Sequence, residues 1–122
     1  MKKRMAVWYA FACLLMSCGR HDGNTNITYK DKDDTYTMKA FFNSNRNKAV
    51  EHFMNEKIGN KNDLSFINTE IDAEMRLKDG TSFYLLKKPG HIEIKMDKEK
   101  NSSQAYFSVK SMCEEMKEVL TQ

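Results

Sequence analysis

An alternating run of apolar and charged residues, enclosed by two turn sequences, is the feature that most restricts the fold of this chain. Residues 71–78 place every second side chain on an apolar face and the others on a charged face, which is the pattern of a half-buried β-strand. Asp79-Gly80 is a strong hairpin signal. Further strands are predicted at 81–87 and 92–96, on either side of a Lys88-Pro89-Gly90 turn. Three successive strands joined by short turns predict an antiparallel sheet.

Two loop lengths are compatible with the Asp79-Gly80 turn, and they place different residues in the core. A two-residue loop would bury Tyr84 and Leu86. A three-residue loop over 78–80, with the glycine as a bulge, would bury Phe83 and Leu85 instead. Only the longer loop aligns the apolar faces of all three strands. We therefore predict the three-residue loop, which sends Tyr84 and Leu86 to the charged face of the sheet.

A strand and a helix are predicted before this hairpin series. Residues 35–42 alternate between apolar and polar side chains, although the position of this strand in the sheet is left open by the sequence. The Asn43-Ser44-Asn45 sequence supplies N-cap candidates for a helix that runs to about Ile58. Gly59 is predicted to end that helix in the left-handed conformation.

A second helix is predicted at the end of the chain. Asn101, with Gln104 three residues later, resembles a capping box. The apolar stripe that follows has helical spacing and comprises Tyr106, Val109, Met112, Cys113, Met116, Val119 and Leu120. The predicted order is therefore β-α-β-β-β-α, an α+β fold in which two helices cover one face of an antiparallel sheet in a two-layer sandwich.

The N-terminal residues have the organisation of a targeting segment. A basic Met1-Lys2-Lys3-Arg4 sequence precedes a twelve-residue apolar run over 5–16, which is too short to cross a bilayer that needs roughly 20 residues. The run ends in Leu15-Met16-Ser17-Cys18. This sequence resembles the lipobox of bacterial lipoproteins, in which a small residue precedes the lipidated cysteine.

The resemblance implies a membrane anchor and a location. A diacylglycerol group would be attached to the Cys18 thiol, residues 1–17 would be removed as the signal peptide, and the freed amine would be acylated, for example with palmitate. Two or three chains anchor a protein far more firmly than one. Gly19 stands where an Asp commonly retains Gram-negative lipoproteins in the inner membrane, so the resemblance implies the cell outer membrane, with the domain facing the periplasm.

The predicted organisation is a signal peptide over 1–17, a lipidated cysteine with a flexible polar tether over 18–34, and a single domain over 35–122. The chain contains 20 basic and 17 acidic residues. Removal of the signal peptide takes away Lys2, Lys3 and Arg4 and no acidic residue, so the remaining formal charge is zero. Nucleic-acid binding is not expected, because it requires a basic surplus for phosphate contacts.

The sequence contains no recognisable catalytic, cofactor or metal pattern. Its three histidines, His21, His52 and His91, have no ligand spacing. Met112, Cys113 and Met116 could be imagined as a copper(I) site, but they share the stripe of the last helix and are interpreted as core residues. Because no nucleophile motif, paired carboxylates in a cleft or glycine-rich phosphate loop is present, we do not expect an enzyme.

One surface feature remains as a candidate contact site. Tyr84 and Leu86 are predicted on the charged face of the sheet, and Phe41 could join them if the first strand lies nearby. Apolar residues on a solvated face can mark a contact surface, although two scattered apolar side chains are also normal. The sequence is most consistent with a non-enzymatic lipoprotein that binds or scaffolds an envelope protein; the alternative is a small-ligand or lipid-binding periplasmic module.

Overall fold

The computed structural model describes residues 25–122. The predicted signal peptide, Cys18 and residues 19–24 lie outside the described residues. The strands are β1 (Asn26–Asp31), β2 (Thr35–Phe41), β3 (Ile71–Arg76), β4 (Ser82–Lys88) and β5 (His91–Asp97), and the helices are α1 (Asn47–Met54) and α2 (Ser103–Thr121).

The strands form one antiparallel sheet in the order β1-β2-β5-β4-β3. Both helices pack on the same face of this sheet and contact each other. The predicted two-layer α+β architecture is therefore confirmed. The first predicted strand is β2. The sequence left its position in the sheet open, and the structure places it next to β5 near the centre.

Strand β1 corrects the predicted tether, because residues 26–31 belong to the domain. Their apolar content is limited to Ile27 and Tyr29, which alternate with polar residues in a short edge strand. Cross-strand partners lie on the same face of a sheet, and Tyr29 is opposite the buried Met38. Ile27 accordingly packs against the core, and the Tyr29 hydroxyl donates to the carbonyl oxygen of Cys113 on α2 at 3.2 Å.

An ionic cluster also holds β1 against α2. The Asp31 carboxylate accepts from Lys98 Nζ at 2.7 Å and from the Tyr106 hydroxyl at 2.5 Å, and Lys110 Nζ lies 3.3 Å away. Hydrogen bonds from Lys98 and Tyr106 lower the pKa of Asp31 to about 2. The carboxylate therefore stays ionised, and favours the folded state, at every pH above its usual range.

The predicted register of the β3–β4 hairpin is confirmed. Met75 is opposite Phe83, and the Leu77 amide donates to the Thr81 carbonyl at 2.8 Å across a three-residue loop. Gly80 has a φ of 94°, the left-handed conformation that the bulge requires and that glycine adopts at little cost.

The three central strands β2, β5 and β4 bury one face completely. Leu85, Ile92, Ile94, Met96 and Met38 are 0% exposed, and they meet apolar side chains of both helices in one cluster. The side chains of the sheet and of both helices therefore meet directly over the centre of the sheet.

Two predicted helix boundaries are wrong in detail. The helical path does not stop at Gly59 but continues through a π-helical turn (Asn55–Gly59) and a 3-10 turn (Asn60–Asn62), and Asp63 takes the left-handed conformation with a φ of 58°. Gly59 is needed for a different reason. A Cβ at this position would lie 2.9 Å from the Leu64 carbonyl oxygen, so the returning chain approaches too closely for a side chain.

The N-cap of helix α2 lies one residue later in the sequence than predicted. Ser102 is the N-cap, and its side chain accepts from the Ala105 amide. Asn101 instead holds strand β4, because its side-chain oxygen accepts from the Ser82 amide and its nitrogen donates to the Ser82 carbonyl. At the start of the first helical segment the prediction holds, since the Asn43 side chain accepts from the Asn45 amide.

Leu85→Ala and Leu86→Ala provide a matched test of the register. Leu85 is fully buried and Leu86, its neighbour on the opposite face, is half-buried. We expect Leu85→Ala to lower the free energy of unfolding by about 2–5 kcal/mol through loss of core contacts and a cavity. Leu86→Ala should lower it by about 1 kcal/mol or less. Urea denaturation followed by circular dichroism measures both; equal losses, or the reverse order, would contradict the register.

Candidate binding surfaces

The face of the sheet that carries neither of the helices within residues 25–122, here called the open face, holds the predicted contact residues. Tyr84 and Leu86 lie on it and are half-buried, and Phe41 is 47% exposed. Phe41 stacks on the His91 ring with centroids 4.3 Å apart. The structure thus brings Tyr84 and Leu86 together on β4 but places Phe41 two strands away, with β5 between them.

Carboxylates flank the pair on the open face. Leu86 is opposite Asp72 on one side and Glu93 on the other, and Tyr84 is opposite Glu74. The Tyr84 hydroxyl donates to Asp72 Oδ1 at 2.7 Å, and this hydrogen bond raises the pKa of Tyr84. The pair is therefore a small apolar centre among charges of both signs. Lys95 lies opposite Tyr84 on β5, and Lys88 follows Leu86 on the same face of β4.

A second surface is a cleft between the start of α1, the chain before β3 and the β4–β5 turn. It has a volume of about 480 Å³. We call it the polar cleft, and its polar lining includes Ser44, Asn45, Asn47, Glu51, Asn68, Thr69 and Lys87. Apolar atoms of Phe42, Pro89 and Ile92 also line it.

A buried ion pair lies in the polar cleft. Lys87 Nζ on β4 is 2.8 Å from Glu51 Oε2 on α1, and only 8% and 9% of these side chains are exposed. Lys87 Nζ also donates to the Thr69 carbonyl, and Glu51 Oε2 accepts from the Asn68 amide at 3.1 Å. The pair therefore ties the sheet, the first helix and the segment before β3 to one point.

Opposing effects set the ionisation of Glu51. Burial alone would raise the pKa of this carboxyl group, but hydrogen bonds from Lys87 and the Asn68 amide outweigh it, so that the pKa is lowered. Glu51 is thus ionised at neutral pH. Because the pKa is lower in the folded state, the carboxylate contributes stability above its usual range, about pH 4.3, and loses that contribution as the pH falls through its folded value.

The third surface is an apolar groove of about 770 Å³ between α2 and the segments after α1 and β3. Its floor is formed by Ile58, Leu77, Val109 and Met112. Phe107 stands at its edge and is 62% exposed, the highest exposure of any large apolar residue among the described residues. The remaining lining residues are polar or charged and include Lys57, Lys61, Lys78, Asp79 and Glu115.

An ion pair connects the two walls of this apolar groove. Lys57 Nζ, from the π-helical turn, lies 2.5 Å from Glu115 Oε1 on α2, and both side chains are close to half exposed. A pair of this kind contributes little to stability. It nevertheless places two opposite charges, with no net charge, beside the apolar floor.

The residues considered for a soft metal site lie in the core. Met112, Cys113 and Met116 are 4%, 0% and 0% exposed and belong to the central cluster. Burial raises the pKa of the Cys113 thiol to about 12, so this thiol is protonated and unreactive at neutral pH. Burial also raises the pKa of the neighbouring Tyr36 hydroxyl well above its usual range.

Among residues 25–122, no three side chains of His, Cys, Asp or Glu converge as a metal site would require. His21 lies outside the described residues, His52 is exposed, and His91 is half-buried against Phe41. The structure therefore brings none of the histidines into a cluster within the described part of the chain.

No protein-family model, no curated protein and no solved structure matches this chain. Within residues 25–122, neither helix combines the length and the apolar character needed to cross a membrane. The function of the three surfaces must therefore be inferred from their own geometry.

Lys87→Met tests the buried ion pair. It removes the ammonium and leaves an unpaired carboxylate, so we expect the free energy of unfolding to fall by about 3–5 kcal/mol at neutral pH. Without its partner, buried Glu51 should have a raised pKa. The deficit relative to the wild type should therefore shrink as the pH falls and the carboxyl group becomes neutral, which urea denaturation at several pH values measures.

Lys48→Met is the matched control, because Lys48 is an exposed lysine on the same helix as Glu51. It should change stability by about 0.5 kcal/mol or less. A pH-independent deficit in Lys87→Met would show that the lost packing of the lysine stem, and not the uncompensated charge, causes the effect.

Proposed function

We propose that this chain is a lipid-anchored bacterial envelope protein that binds another protein and performs no catalysis. The anchor rests on the lipobox-like Leu15-Met16-Ser17-Cys18 sequence. It would hold the domain at the periplasmic side of the outer membrane through acyl chains on Cys18. Because β1 begins at Asn26, the link between anchor and domain is about seven residues, shorter than the sequence pattern predicted. An extended chain of that length spans roughly 25 Å at most.

Cys18→Ala should abolish the anchor. Metabolic labelling with an alkyne analogue of palmitate should mark the wild-type protein, which should enter the detergent phase on detergent partitioning. The variant should lose both properties, because it lacks the thiol that carries the diacylglycerol group. Cys13→Ala is the matched control, since Cys13 lies within the predicted signal peptide and should retain labelling. Labelling that persists in Cys18→Ala would refute the proposed site.

The docking role rests on one observation: Tyr84 and Leu86 lie together on a face that no helix of the described part of the chain covers. A tyrosine beside an aliphatic residue is a common anchor of protein interfaces, because it buries a large area and can still hydrogen-bond. The fully buried side chains between sheet and helices favour this role over ligand storage there. Asp72, Glu74 and Glu93 lie around the pair together with Lys88 and Lys95, which favours a partner surface with complementary charges of both signs.

The double variant Tyr84→Glu with Leu86→Glu should keep the fold and lose the partner. In-cell crosslinking of the lipidated protein identifies the partner, which is then purified and titrated against the wild type and the variant. We expect binding at least about ten-fold weaker in the variant, since central interface anchors contribute on the order of 2 kcal/mol or more.

Phe107→Glu serves as the control, because it introduces the same acidic side chain in place of an exposed aromatic residue on the helical layer. It should leave partner binding unchanged. Unaltered affinity in the Tyr84 and Leu86 double variant would refute docking through the open face.

The apolar groove supports a second candidate function, a lipid-binding or small-ligand module. Four largely buried apolar residues, Ile58, Leu77, Val109 and Met112, line this groove together with the exposed Phe107, and small-molecule sites are concave with apolar lining of this kind. A lipid identified by mass spectrometry in the purified protein, together with no crosslinked protein, would favour this function over docking.

A further inference from the structure

We infer that the polar cleft binds a saccharide through adjacent hydroxyl groups that contact Glu51 and Lys87. This site is separate from the open face and does not depend on the docking role. It rests on the hydrogen-bonding capacity that the buried ion pair leaves unused, on the neutral charge of that pair, and on the composition of the walls.

The ion pair leaves an acceptor and a donor unused. Both hydrogen bonds to Glu51 fall on Oε2, so Oε1 has no partner among the described residues. An ammonium group has three N–H donors. Lys87 uses two of them, for Glu51 and for the Thr69 carbonyl. One unused acceptor and one unused donor therefore lie side by side within the cleft.

A structural clamp alone does not explain this arrangement. Well-packed apolar residues generally stabilise a fold as much as a buried ion pair of similar volume. Glu51 Oε1 is not one of the fully buried polar atoms that lack a partner among the described residues, so it is accessible to a ligand. A ligand that donates to Oε1 and accepts from Nζ would use both groups at once.

The buried pair itself favours an uncharged ligand group. Glu51 and Lys87 neutralise each other, so a charged group in contact with both would remain uncompensated there. Lys48, Glu70 and Lys88 also line the cleft, but they are exposed and their charges are screened by solvent. A hydroxyl group both donates and accepts. Two adjacent hydroxyl groups can therefore satisfy the carboxylate and the ammonium together, which neither a carboxylate nor an amine can do.

The walls match the same chemistry. Short hydroxyl and amide side chains surround the pair from α1 and from the segment before β3, and they comprise Ser44, Asn45, Asn47, Asn68 and Thr69. Phe42, Pro89 and Ile92 add apolar atoms, against which the C–H face of a sugar ring can pack. A volume of about 480 Å³ is in the range of small-molecule sites.

The test is a titration of the isotope-labelled protein by two-dimensional NMR. The probes are methyl glycosides of glucose, galactose and N-acetylglucosamine and short oligomers of each, with sodium acetate and methylamine as charged comparisons. We expect at least one saccharide to shift backbone amides around the cleft, in 44–51, 68–70 and 87–91, in a saturable manner. Acetate and methylamine should not shift them.

Thr69→Leu should weaken this binding by at least about ten-fold, the equivalent of 1.4 kcal/mol, because the larger side chain obstructs the cleft. The Thr69 side chain is exposed, and its carbonyl still accepts from Lys87, so the fold is retained. Asn45→Leu is a second variant of this kind, since the Asn45 side chain makes no hydrogen bond to the described residues. Thr28→Leu, the same change at an exposed position on β1, should leave binding unaltered.

Three results would overturn the inference. The first is the absence of saturable shifts with every saccharide up to its solubility limit. The second is equal binding by the wild type, Thr69→Leu and Asn45→Leu. The third is a response to acetate as strong as the response to the saccharides, which would indicate an anion site formed by the cleft lysines.

Discussion

The alternation of side chains along β5 is the constraint on which the rest of the domain depends. Ile92, Ile94 and Met96 are fully buried on one face, while His91, Glu93 and the other intervening residues face the opposite side. Because β5 lies between β2 and β4, this alternation fixes which face of each neighbour must be apolar. A shift of one residue in either pairing would put charged side chains under the helices. The helices can cover only the face that remains apolar.

The ion pair between Glu51 and Lys87 helps to fix the path of the chain between α1 and β3. That segment lacks regular structure after Asn62, yet it inserts the fully buried Phe66 into the core. Hydrogen bonds fix it on both sides of this residue: the Phe66 amide donates to the Asn55 side chain and the Asn68 amide to Glu51. The buried ion pair therefore positions the backbone of this segment, and its unused donor and acceptor lie in the polar cleft.

The three surfaces differ in what they can recognise. The open face offers a tyrosine and a leucine among charges of both signs, which suits a protein surface of complementary charge. The apolar groove offers a largely buried hydrophobic floor with a polar rim, and the polar cleft offers a paired donor and acceptor. A short link to a lipid anchor would hold all three close to the membrane and limit how far a bound partner could lie from it.

The sequence alone was sufficient for the fold class, the hairpin register and the orientation of Tyr84 and Leu86, because alternation and turn chemistry are local properties that the chain carries in consecutive residues. It was insufficient for β1, whose six residues contain only Ile27 and Tyr29 as apolar positions and become a strand by pairing with β2. It also missed the polar cleft, since Glu51 and Lys87 are 36 residues apart and each resembles an ordinary surface charge. Only the tertiary structure brings them together, because the partners of a buried charge are set by packing across distant elements and leave no periodic signal in the chain.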